Sequence, residues 1–148
     1  MSSSGPPAVA IPESHADLVT RALPAVLVTL MPDGRPQASI VWLHHHAGRL
    51  SLNTEAGRQK TRNMATDSRA TLLIIDPDDQ HRYLELRCDV TGFRSDGALE
   101  HRAELDRKYL GPDHWTDPAT DRGERLIVDL LPVRVSAYGS RPDDVARS

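Results

Sequence analysis

One cysteine, Cys88, stands in a chain of 148 residues. It has no partner for an internal disulfide, and a cysteine-poor chain suits a reducing compartment, here the cytoplasm. No run approaches the roughly 18 consecutive apolar residues of a membrane-spanning helix. Met1-Ser-Ser-Ser-Gly-Pro-Pro7 lacks the basic start and long apolar stretch of a secretory signal, so no membrane partner is expected. Basic residues are not in excess: 18 Lys and Arg face 21 Asp and Glu, for a net charge of −3. That balance argues against a general nucleic-acid binder. Internal repeats and heptads are missing too.

What is present fits one domain. Residues 1–11, rich in Ser, Gly and Pro, are expected to be a disordered tail, 12–140 the folded domain and 141–148 a second tail. Pro12 and Ser14 open an expected helix, with Ser14 and Asp17 spaced as a capping box, an apolar face of Leu18, Val19, Ala22 and Leu23, and Pro24 as its stop. The period then changes. Ala25–Leu30 and Gln37–Leu43 flank the turn Pro32-Asp33-Gly34 and predict a hairpin. Ala47-Gly48 turns the chain into Arg49–Asn53. A helix is expected over 57–67. Ala70–Asp76 is a nearly continuous apolar strand, suited to burial on both faces. The carboxylates Asp76, Asp78 and Asp79 around Pro77 suit a turn. Residues 82–94 alternate, with Leu84, Leu86, Cys88 and Val90 on one side. Residues 97–110 read as an amphipathic helix through Leu99, Ala103, Leu105 and Tyr109, and 111–123 as a loop. Leu126–Leu131 and Val133–Tyr138 are strands joined across Pro132. About six strands in hairpin spacing, with three helices, predict a mainly β fold: a six-stranded antiparallel barrel with peripheral helices.

The stretch richest in chemistry is Asn53-Thr-Glu-Ala-Gly-Arg-Gln-Lys-Thr-Arg-Asn63, between a strand and a helix. Free backbone N–H groups at a helix start favour an anion. Arg58, Lys60 and Arg62 bring three cations, and Thr54 and Thr61 hydroxyl donors, a combination that suits a phosphate. The alternative is a solvated basic face.

Three segments occur in order: Arg35-Pro-Gln-Ala-Ser39 after an Asp-Gly turn, Lys60-Thr-Arg-Asn63 after the third strand, and Asp67-Ser-Arg-Ala-Thr71 before an apolar strand. Together they resemble the pyridoxamine-phosphate-oxidase-like split-barrel superfamily, and within it the B-type flavin/deazaflavin oxidoreductases, over about 14–139. The resemblance implies an FMN-binding-like split barrel. It implies that Arg58, Lys60, Thr61 and Asn63 hold the cofactor phosphate, with Arg62 nearby. Asn53 and Thr54 would lie by the phosphate and ribityl chain, and Gln37, Ala38, Ser39 and Val41 would line the ring. It implies a homodimer with cofactor sites between subunits, to which Tyr83 or Arg125 would contribute from the partner. The wording at 60–63 is closest to members using the deazaflavin coenzyme F420, with FMN as the alternative. The implied activity is hydride transfer from reduced deazaflavin to a small conjugated organic substrate. A non-catalytic F420- or haem-binding protein stays open.

No catalytic side chain is assigned; His81, Tyr138 or a water are the candidate proton donors. Three consecutive histidines, His44–His46, cannot converge on one metal from a strand, whose side chains alternate between faces, so they read as a polar strand end and no metal is expected. A haem ligand there stays open, since some split-barrel relatives bind haem. Cys88 reads as a buried thiol, Trp42 as a core or interface residue, and Trp115 as an exposed aromatic near the substrate or a plain loop residue.

Overall fold

The structure is a computed structural model in which residues 8–120 and 123–140 are described. Alternation at period two builds most of it. Strand β1 (Ala25–Leu30) buries Ala25, Leu27 and Thr29 and turns Val26, Val28 and Leu30 the other way. β2 (Pro36–Val41) pairs with it antiparallel, Leu27 opposite Ser39. β5 (Arg69–Asp76) and β6 (Asp79–Arg94) form a long hairpin whose buried face runs through Leu72, Ile74, Leu84, Leu86 and Cys88. β7 (Arg125–Tyr138) joins β6 to β4 (Arg49–Glu55), and β3 (His44–His46) pairs with β4. The order is β2-β1-β5-β6-β7-β4-β3, every pairing antiparallel.

The two edge strands of that order are consecutive in sequence. Only Trp42 and Leu43 separate Val41 at the end of β2 from His44 at the start of β3. Three Cα steps span at most about 11 Å, so the sheet must curl until its edges nearly meet, making a barrel around one apolar core. Three helices sit on it: α1 (Asp17–Thr20), α2 (Gln59–Thr66) and α3 (Ala98–Leu110).

Among the described residues the strands number seven rather than six. His44–His46 is a strand because Ala47 (φ 51°) and Gly48 (φ 76°) form a two-residue turn with both φ positive, the hairpin geometry that matches strand twist. Leu126–Leu131 and Val133–Tyr138 are one strand. Pro132 is accommodated opposite Cys88 at a register shift, where its missing N–H breaks no regular ladder. The expected helix from Ser14 to Leu23 shrinks to a 3₁₀ turn, Glu13–His15, and one turn of α1. Its capping box does not form: Ser14 Oγ pairs with His15 Nδ1, and Asp17 is drawn to Arg82 instead. β5 buries one face only, since Ile75 on the other is exposed. Leu99 is 56% exposed, so α3 docks through Ala98, His101 and Leu105, of which the expected face contains Leu105.

Of the expected tails, residues 1–7 and 141–148 lie outside the described residues. Within 8–11, Val9 N donates to Pro132 O and Ile11 packs on the core. Arg82, only 1% exposed, ties the barrel end together by donating to Asp76 Oδ2 (2.9 Å), Ser14 O (2.7 Å) and Asp17.

Candidate functional site

α2 starts where β4 ends, and no side chain caps it. Thr61 N and Arg62 N donate to Arg58 O, which leaves the amides of Gln59 and Lys60 available to an anion. At 100° per residue, positions 58, 60 and 62 cannot face one way, and the structure separates them. Arg62 bends back along the outside to Gly57 O and Gln59 Oε1. Arg58 is exposed and 3.9 Å from Glu55. Lys60 points inward and is half-buried, with no carboxylate within ion-pair distance among the described residues. Burial, then Arg58 and Arg125, push its ammonium below the usual lysine range.

Lys60 faces a cavity of about 290 Å³ between the end of β2, β4, β7 and α3. Ile40, Val41 and Trp42 form one wall, Asn53 and Arg125 another, and Arg102, Leu105 and Asp106 the third. Trp42 is held flat against Tyr109, centroids 4.7 Å apart and planes 5° from parallel. Arg125 arrives from a position remote in sequence because β7 pairs with β4 and sets Arg125 opposite Glu55. Its Nη2 donates to Glu55 Oε1 and its Nη1 to Asn53 Oδ1, both at 3.3 Å.

Of the residues expected at the cofactor, Val41, Asn53 and Lys60 line this cavity. Thr54 and Thr61 are buried against each other, their hydroxyls 3.0 Å apart, and Thr61 Oγ1 donates to Glu55 O at 2.8 Å. Asn63 is also buried: its Nδ2 reaches Thr29 Oγ1 and Gln37 Oε1, and its Oδ1 accepts from Gln59 Nε2. These three side chains fix α2 against β4 and the β1–β2 hairpin, and Gln37 is part of that clamp. Ala38 lies on the outward face of β2. Ser39 is on the inward face, between Gln37 and Val41; its Oγ is shielded from solvent without a hydrogen-bond partner among the described residues.

Arg125, expected from a partner subunit, lines the cavity of its own chain. Tyr83 stacks on Tyr138 elsewhere on the sheet (4.5 Å), and neither it nor His81 or Tyr138 lines the cavity. Arg102 and Asp106 were missed by the sequence reading. Their spacing from Leu105 places all three on one helical face, which was the available signal. Trp115 is 74% exposed and overhangs a separate cleft of about 370 Å³. His44 and His46 border a third cavity with His101 and Glu104. Among the described residues, no three His, Cys, Asp or Glu side chains are arranged to hold a metal. No helix of the described residues is long and apolar enough to cross a membrane.

A family model for pyridoxamine 5'-phosphate oxidase matches residues 11–137. The solved structure of an F420 reductase is 32% identical with a TM-score of 0.78, covering 85% of this chain and 98% of that one. A conserved hypothetical protein from Mycobacterium tuberculosis is 26% identical, TM-score 0.72, covering 90% and 88%. A haem-binding protein from Mycobacterium smegmatis is 21% identical, TM-score 0.64, covering 90% and 57%; at that identity the likeness speaks for the fold alone. No curated protein matches the chain.

Proposed function

This chain belongs to the pyridoxamine 5'-phosphate oxidase family, and on that premise we propose that it is an oxidoreductase that holds coenzyme F420 by its phosphate and reduces a small conjugated organic substrate. The observation that carries the reading is Lys60: a half-buried cation facing a cavity, without a carboxylate partner among the described residues. Half-burying an ammonium unpaired is costly, and an anionic ligand group removes the cost. The likeness to the F420 reductase supports the reading.

In this reading Lys60, Arg125 and the open amides of α2 bind the phosphate, with Arg58 at the rim. The Thr54–Thr61 bond and the Asn63 clamp keep those amides aimed. Val41 and Trp42 give an apolar wall that excludes water beside a planar ring. When bound, the deazaflavin supplies the hydride. No side chain of the cavity is needed as a nucleophile.

A homodimer is part of the proposal. Ile40 is 61% exposed on the edge strand β2, beside the cavity. The outward face continues through Val26, Leu73, Ile75 and Tyr83, all incompletely buried. Exposed apolar side chains on a sheet face suit a protein partner, and a second copy covering them would wall in the cavity.

The test is a titration of the purified apo-protein with coenzyme F420 and, separately, with FMN, in a Trp115→Phe background that leaves Trp42 as the reporter. Tight F420 binding with turnover of enone or quinone acceptors is the expected result. Preference for FMN moves the cofactor assignment, binding without turnover makes the protein a carrier, and binding of neither overturns the reading.

A further inference from the structure

Asn53 has an amide whose orientation is fixed on three sides. Its Nδ2 donates to Ala98 O at 2.8 Å and lies 3.0 Å from His101 Nδ1, while its Oδ1 accepts from Arg125 Nη1. Flipping the amide would set an oxygen against a carbonyl and an N–H against a guanidinium, so one orientation survives. That orientation dictates the tautomer of His101: Nδ1 must accept, and Nε2–H donates to Ser51 Oγ at 2.8 Å. His101 is buried on α3 and does not line the phosphate cavity. Burial, then His44 and Arg94, push it down to about 4, so it stays neutral and keeps the acceptor.

We infer that His101 is a positioning residue for phosphate recognition, acting through Asn53 to aim the Arg125 guanidinium at the site that Lys60 faces. The inference rests on the phosphate reading above. Without the Nδ1 acceptor, one Asn53 proton loses its partner, the amide gains rotational freedom, and Arg125 loses its anchor on that side. Its bond to Glu55 Oε1 stays in place.

The experiment compares each phosphate-bearing ligand with its phosphate-free core: coenzyme F420 against its deazariboflavin core, and FMN against riboflavin. It uses the wild type, His101→Leu and His101→Asn. Leu removes the acceptor; Asn restores an acceptor oxygen near the Nδ1 position. Expected is a Kd about tenfold weaker for the phosphate-bearing ligand in the Leu variant, little change for its core, and recovery in the Asn variant. Equal losses for ligand and core, or no loss for either, overturn the positioning role. Failure of the Asn variant to recover also overturns it, because the Leu effect is then one of packing. Should the wild type not distinguish ligand from core, the phosphate reading itself falls, and that outcome is separate from the others.

Discussion

Lys60→Met separates ligand affinity from stability. The aliphatic stem stays and the charge goes. A charge-assisted hydrogen bond contributes about 1.5–3 kcal/mol, so Kd for a phosphate-bearing cofactor should weaken by roughly tenfold to 150-fold. Folding should respond with the opposite sign. The folded state depresses the Lys60 ammonium through burial and neighbouring cations. Its charged form therefore opposes folding at neutral pH, and that opposition fades only as pH rises toward the lysine range. Removing the charge leaves the ligand-free Tm level or raises it. The stabilisation added by saturating cofactor falls by the same 1.5–3 kcal/mol as the affinity. At about 2–4 °C per kcal/mol for a chain of this size, the ligand-induced Tm shift shrinks by roughly 3–12 °C. Thermal scans with and without F420 or FMN, beside a binding titration, read both quantities. A ligand-free Tm lowered by several degrees with Kd unchanged would refute the argument and make Lys60 structural.

Arg82→Met should cost up to about 3 kcal/mol in urea denaturation, because it takes from the buried Asp76 carboxylate its closest cation and leaves only Arg21 at 3.8 Å; a loss under 1 kcal/mol would mean that Arg21 or water compensates the charge. The backbone N–H of Asp78, then Arg82, hold Asp76 below the usual carboxylate range. Wild-type stability should therefore fall as pH drops below about 4, as acid-unfolding curves will show. Burial pushes the Cys88 thiol up to about 12, so a disulfide reagent at pH 8 should label it only on unfolding; rapid native labelling, followed by absorbance, would contradict its burial. Ile40→Glu should shift sedimentation from dimer to monomer, and a wild type already monomeric would remove the dimer from the proposal.

Strands were legible wherever one face is buried, because alternation is local. That is why β1, β2, β5 and β6 stand where the sequence places them. The short α1 was not legible: whether Asp17 caps a helix or pairs with Arg82 depends on a residue 65 positions away. The strand through Pro132 depends on a bulge in its neighbour. Within the site, the cations Arg58, Lys60 and Arg62 were visible but their directions were not, and of the three only Lys60 lines the cavity. Thr54, Thr61 and Asn63 have polar groups that look equally fit for a ligand or for one another; burial decided for one another. Arg125 joined the site through strand pairing, which composition near residue 60 cannot reveal.

The closure of the barrel has a mechanical consequence. Among the described residues no ladder joins β2 to β3 at the seam, and side chains of the last turn of α3 instead hold the short link between them. Leu43 N donates to Tyr109 Oη at 3.0 Å, Tyr109 Oη donates to Leu23 O at 2.8 Å, and Lys108 Nζ donates to Leu43 O at 2.7 Å. With Lys108 Nζ also donating to Val19 O at 3.4 Å, these side-chain bonds are still fewer than a ladder supplies, and local opening starts where bonds are fewest. Trp42 sits on that seam, stacked on Tyr109. The zipper of the barrel and the apolar wall of the cavity are thus the same few side chains, and breathing of the one is widening of the other.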